Sequence, residues 1–139
     1  MYSFFTFCTP GDVQAEHFLA TVDEARGEGG QTELPLALDL EFGGNCSEEN
    51  RLDDVDEEVA RFLAQVESAD ERSALIYQLE GFEGDTALPS LDEGGPRPRW
   101  ERKLFRRPNK DWVVWQFHYR GDVDGVDGPV DINVGSPDL

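Results

Sequence analysis

Leu34-Pro35-Leu36-Ala37-Leu38-Asp39-Leu40-Glu41-Phe42 is the most informative stretch of the chain. Side chains alternate across a strand, so Leu36, Leu38 and Leu40 share one face and Ala37, Asp39 and Glu41 the other. Gly43-Gly44-Asn45 closes the run. One face is therefore fit for a core, and the opposite face carries two carboxylates two residues apart. At normal strand rise their Cα atoms lie about 6.5–7 Å apart. Carboxylates held this close repel, and one pKa rises. One can then donate a proton while its neighbour stays ionised, as glycoside hydrolysis requires. On spacing alone, a solvated strand end is the favoured explanation of the pair. The buried character of the strand argues for more, because the C-terminal ends of such strands hold the active sites of α/β folds.

Outward from this strand, the chain alternates between the two periodicities. Residues 2–8 read as a strand, with Tyr2, Phe4 and Thr6 opposite Phe5 and Phe7. A helix follows, with Thr9 as its expected cap, Pro10 at its first position, and Val13, His17, Phe18 and Val22 near one face. A second helix is expected over about 53–67, where Val55, Val59, Phe62, Leu63 and Val66 fall at helical spacing. Residues 74–77 read as a short buried strand, and 80–99 as a long irregular loop with room for a helical turn. Trp100 to Phe105, Trp112 to Tyr119 and Val130 to Val134 complete the strands. The order β-α-β-α-β followed by β-β-β predicts an α/β layered or barrel-like fold in one domain over 1–139.

Length and charge narrow the function. At 139 residues the chain is too short for a complete eight-stranded α/β barrel, which needs roughly 250. Thirty acidic residues against twelve basic ones give a net charge of −18, which disfavours phosphate backbones and anionic lipid surfaces as partners. Ten of the twelve basic residues are Arg. An acidic, Lys-poor surface suits high salt, and a genome rich in Arg, Gly, Ala and Asp codons produces it too. The N-terminal run has no basic region or small-residue cleavage site, so no signal peptide is expected, and no stretch approaches a membrane span.

Further along, Asp131 sits between Val130 and Ile132, an expensive place for an idle charge. Asn133 lies on its face. Trp115 and its aromatic neighbours could stack on sugar rings. The aspartates from Asp122 to Asp131 fail the calcium-loop pattern, with Asp127 and Asn133 where Gly and Glu belong. No serine has a nucleophile-elbow context.

These motifs, taken in order, resemble glycoside hydrolase family 25, the Chalaropsis-type lysozymes or muramidases. Leu38-Asp39-Leu40-Glu41-Phe42 with Gly44-Asn45-Cys46 resembles that family's Asp-x-Glu strand. Tyr2-Ser3-Phe4-Phe5-Thr6-Phe7-Cys8 with Pro10-Gly11 looks like its Tyr-His-Phe strand. Trp112 to Phe117, then Gly125 to Asn133, is similar to its C-terminal end. The resemblance implies an incomplete flattened β/α barrel. The implied activity is hydrolysis of the β-1,4 bond between N-acetylmuramic acid and N-acetylglucosamine in peptidoglycan, outside the cell or at its wall, without metal or organic cofactor. Glu41 would be the proton donor, Asp39 would stabilise developing charge, and Asp131 would support them. Tyr2 matches a cleft tyrosine, and Trp115 and Asn133 are further candidate substrate contacts. Ser3 stands where the family usually has His. The alternatives are a non-catalytic wall-binding module, or an acidic domain whose Asp39/Glu41 pair holds a metal.

Against the family pattern the chain starts at the third strand, so two strands and an aspartate are expected to be missing. Cys8 and Cys46 both follow strand ends and are candidates for a bridge, which needs their Cα atoms within about 7 Å. An uncovered barrel edge leaves backbone N–H and C=O groups unpaired. The 139-residue chain is thus expected to be marginally stable, aggregation-prone or reliant on self-association through that edge. Light scattering after size-exclusion chromatography checks this, and a monomer with one sharp cooperative melt counts against it.

Overall fold

The computed structural model describes residues 1–27, 32–79, 88–109 and 112–136. Six strands, β1 (Tyr2–Phe4), β2 (Ala37–Leu40), β3 (Leu75–Leu79), β4 (Arg99–Arg102), β5 (Trp112–Gly121) and β6 (Val130–Gly135), form one sheet in sequence order. The first five run parallel and β6 returns antiparallel to β5. The sheet is curled into a half-barrel, a mixed α/β architecture. Helices α1 (Gly11–Arg26) and α2 (Val55–Asp70) follow β1 and β2.

The alternation in β2 becomes a two-sided partition. Leu36, Leu38 and Leu40 are buried with Phe5, Ile76, Phe18, Val59 and Phe62 in the main core, between the sheet and the two helices. Ala37 on the opposite face joins Leu75 and Val114 in a smaller cluster packed against Trp100. The sheet is thus apolar on its outer, helix-covered face and only partly apolar on its inner one.

All five apolar positions expected to face inward on the second helix are buried. Its first turn is capped by Asp54, which accepts the Glu57 N–H at 3.0 Å. The first helix differs from expectation. Its inward stripe is Gly11, Gln14, Ala15, Phe18 and Val22, whereas Val13 and His17 are exposed. Pro10 rather than Thr9 takes the cap position and makes no side-chain cap. The Gly11 N–H is instead satisfied from the other helix, by Glu58 Oε2 at 2.7 Å. The helices approach so closely there that a Cβ on residue 11 would overlap the Glu58 carbonyl. A distant carboxylate that substitutes for a local cap is invisible to a local pattern. The strands at 2–8 and 34–42 are also shorter than expected, because pairing ends where each chain turns toward its helix. Within 80–99, residues 80–87 lie outside the described residues. The remainder holds a 3₁₀ turn at Pro89–Leu91.

A charged clasp closes the end of the sheet remote from the C-terminal ends of the parallel strands. Asp70 at the end of α2 takes Arg26 of α1 at 2.7 Å and Arg72 at 3.0 Å, and its second oxygen accepts the Leu36 N–H. Burial pushes the Asp70 carboxyl up, but the hydrogen bonds from Arg72, Arg26 and Leu36 outweigh it and hold the pKa below its ordinary value. The same balance holds Glu67 low beside Arg97. A depressed folded pKa contributes stability above the unfolded pKa and loses it as pH falls through the folded one. Asp70→Ala should therefore cost about 3 kcal/mol at neutral pH, since it strands two arginines. It should also flatten the loss of stability below about pH 4. Urea midpoints measured against pH check both, and parallel curves for variant and wild type would refute the clasp.

Candidate active site

The cleft opens on the inner face of the sheet, at the C-terminal ends of the parallel strands. It holds about 370 Å³ and is lined by Tyr2, Asp39, Glu41, Tyr77, Trp100, Gln116, Asp131 and Asn133. That volume falls within the range of small-ligand sites. Every strand except the antiparallel return contributes from its parallel run, and β6 adds Asp131 and Asn133 from across β5.

Backbone register assembles the centre. Asp39 pairs with Tyr77 and Tyr77 with Trp100, so three inward side chains stand in a row across β2, β3 and β4. Glu41 follows two residues after Asp39 on the same face. Two hydrogen bonds stiffen the walls. The Tyr77 hydroxyl donates to Gln116 Oε1 at 2.8 Å, and the Trp100 indole N–H donates to Asn133 Oδ1 at 2.8 Å. The Trp100 ring meets Tyr77 and Tyr2 edge-on, at 5.0 and 6.1 Å between centroids. Aromatic faces with fixed polar tips are suited to sugar rings, which offer both apolar C–H faces and hydroxyls.

The electrostatics single out Asp39. Burial, reinforced by the neighbouring Glu41 carboxylate, pushes its pKa up to about 7. Its Oδ1 is buried without a hydrogen-bond partner in the protein. An unsatisfied buried carboxylate oxygen inside a cleft is a costly feature that a bound group would relieve. Burial likewise raises the Tyr77 pKa, so its hydroxyl stays a donor at working pH.

Of the residues singled out from sequence, Asp39, Glu41, Asp131, Tyr2 and Asn133 meet in this cleft. Trp115 does not. It projects from the opposite side of β5 to its neighbour Gln116, donates its indole N–H to the Lys103 carbonyl at 2.8 Å, and packs between Trp112 and Phe117. Asp131 is exposed rather than buried, so the cost of an idle buried charge does not apply to it. Tyr77, Trp100 and Gln116 escaped the sequence reading. The alternation in each strand was readable, but their convergence depends on the register between strands.

Behind Glu41, one amide ties the strand ends together. Asn45 Nδ2 donates to the carbonyls of Phe5 and Glu41 at 2.9 and 3.2 Å. Its Oδ1 accepts the Phe7 and Cys46 N–H groups at 2.7 and 3.1 Å. A disulfide between Cys8 and Cys46, with Cα atoms 6.3 Å apart, joins the same two segments. Among the described residues no group of acidic, His and Cys side chains is arranged to hold a metal ion, and no helix is long and apolar enough to cross a membrane.

The sequence profile of glycosyl hydrolases family 25 matches residues 1–126, and the chain belongs to that family. It is 33% identical over 137 residues to the uncharacterised protein YegX of Escherichia coli K12, covering 96% of this chain and 46% of YegX. The chain thus spans about half the length of the curated relatives it matches. The catalytic domain of endolysin Ply40, from a bacteriophage of Listeria monocytogenes, superposes with a TM-score of 0.73 at 22% identity. That match covers 99% of this chain and 66% of the domain. The Streptomyces coelicolor lysozyme gives 0.67 at 22% identity, covering 96% and 65%. At these identities the structures establish a shared fold.

Removing the Asn45 amide leaves two partly buried donors and two acceptors without their partner. Asn45→Ala should lower stability by about 2–4 kcal/mol. The urea midpoint measures this, and an unchanged midpoint would show that the amide does not hold the strand ends.

Proposed function

We propose that this chain is a muramidase-type glycosidase that cleaves the β-1,4 bond between N-acetylmuramic acid and N-acetylglucosamine in peptidoglycan. The observation that carries the reading is the Asp39/Glu41 pair in an aromatic-walled cleft of a family 25 fold. Glu41 donates its proton to the glycosidic oxygen as the bond breaks. Asp39 stabilises the positive charge that develops at the sugar. Its raised pKa expresses the cost of keeping a negative charge there beside Glu41. A cationic transition state offsets that cost and the ground state does not, so the interaction acts where it lowers the barrier. Tyr2, Trp100 and Asn133 line the sugar-binding wall, and Asp131 faces the pair from β6. A glycan strand at the cell wall is the partner, which places the site of action outside the cell.

Asp39 must be ionised to stabilise that developing charge, and its pKa is pushed up to about 7, so activity should rise as pH rises through that value. Asp39→Asn should lower reducing-end release and abolish this pH dependence. Glu41→Gln should reduce reducing-end release from purified walls at least about 100-fold. Release unaffected by Glu41→Gln would refute the assignment. Wall binding without release, by this chain and by a longer version of it, would instead identify a non-catalytic wall-binding module.

A further inference from the structure

The two carboxylates of the cleft are not held in the same way. Asp39 lies inside β2, paired with Phe4 of β1 on one side and with Tyr77 of β3 on the other. β2 ends at Leu40, so Glu41 stands one residue beyond the ladder. Residues 41–46 belong to no strand or helix. The sheet fixes Asp39, whereas Glu41 depends on the turn behind it.

That turn is fastened to the segment after β1. Asn45 Nδ2 donates to the Glu41 and Phe5 carbonyls, and its Oδ1 accepts the Phe7 N–H. The Phe42 and Phe7 rings meet edge-on, 5.7 Å between centroids. The covalent link is the Cys8–Cys46 disulfide. The segment at its other end is anchored in turn. Gln14 accepts the Thr6 N–H at 2.9 Å and donates to the Thr6 carbonyl at 3.0 Å, and the Leu52 N–H donates to the Phe7 carbonyl at 2.8 Å. Cys8 is therefore the fixed post and Cys46 the tethered end. Asn45 directly precedes Cys46, so the bridge keeps the amide within reach of the Glu41 carbonyl.

The bridge is open to attack, since both cysteines are partly exposed. The Thr6 hydroxyl lies 3.3 Å from Cys8 Sγ, where it can donate to a departing thiolate. A dithiol reductant attacks Cys46 Sγ, the S–S bond breaks, and Cys8 leaves with the electron pair. The reductant's second thiolate then attacks its own sulfur in the mixed disulfide and frees Cys46. The reductant ends as a cyclic disulfide, and the two protons it gives up end on the two cysteine thiols.

We propose that the Cys8–Cys46 disulfide positions Glu41 and makes turnover in this cleft depend on thiol redox state. With the bridge closed, Glu41 is held beside Asp39. With it open, the turn relaxes and Glu41 drifts, while Asp39, Tyr77 and Trp100 stay in place on the ladder. The reduced chain therefore binds glycan without cleaving it. Thiol reductants keep such bridges open in most cytosols and oxidising compartments close them, so competence arrives on export. This inference rests on the glycosidase reading of the cleft and adds its regulation.

The test compares the oxidised chain, the same chain in dithiothreitol, and Cys8→Ser/Cys46→Ser. Soluble fragments released from purified peptidoglycan are followed by chromatography, binding by cosedimentation, and the fold by far-UV circular dichroism. Reduction should lower kcat at least about tenfold, with KM, cosedimentation and dichroism unchanged, and reoxidation should restore it. The double variant should match the reduced wild type and ignore dithiothreitol. An unchanged kcat, a parallel loss of binding, or a loss of dichroism on reduction would overturn the proposal. If the oxidised chain neither binds nor cleaves peptidoglycan, the glycosidase reading fails instead. The tether is then judged by amide hydrogen exchange. Reduction should speed exchange of the Phe7 N–H at least about tenfold and leave Leu75 and Ile76 of β3 unchanged. Equal acceleration at all three, or at none, refutes the tether.

Discussion

Everything at the site depends on β2 being apolar on one face and acidic on the other. The strand is central enough that both faces are enclosed, one by helices and one by the curl of the sheet. Burial of Leu36, Leu38 and Leu40 under α1 and α2 forces Asp39 and Glu41 inward. A slip of one residue would drive two carboxylates into the core and three leucines into the cleft, so the register has no neighbouring competitor. Core formation and display of the acids are one event, which explains how such a small chain holds a charged pair in a half-enclosed place.

The cost of that arrangement is visible at Asp39. Its raised pKa and its unsatisfied oxygen show a carboxylate kept where water cannot fully solvate it. The structure surrounds this destabilised group with devices that hold its backbone still. Phe5 donates its N–H to the Asp39 carbonyl, Asn45 bridges the ends of β1 and β2, and the Cys8–Cys46 disulfide closes the same junction. At the opposite end of the sheet the Asp70 clasp joins both helices to the entry of β2. The active pair is therefore braced from both ends of its strand.

The charge distribution follows the same division of labour. The acidic excess is spread along the chain, whereas six of the twelve cations fall within residues 97–109, along β4 and the connection that follows it.

What the sequence alone determined was periodic or local: the helices, the two faces of β2, the Asp-x-Glu pair and the family-like order of motifs. Each follows from side-chain spacing along one segment, so one chain suffices to read it. Tertiary structure decided the rest. Trp115 looked like a sugar platform and belongs to the other side of β5. Tyr77 and Gln116 carried no functional signal in the sequence and form a wall of the cleft. Asp131 looked buried and is exposed. The Gly11 N–H is satisfied by Glu58 of the other helix, and no pattern around residue 11 could announce it. These outcomes depend on how strands align with one another and how closely helices cross. Such inter-segment registers are set by the packing of the whole sheet, not by the spacing within any one segment.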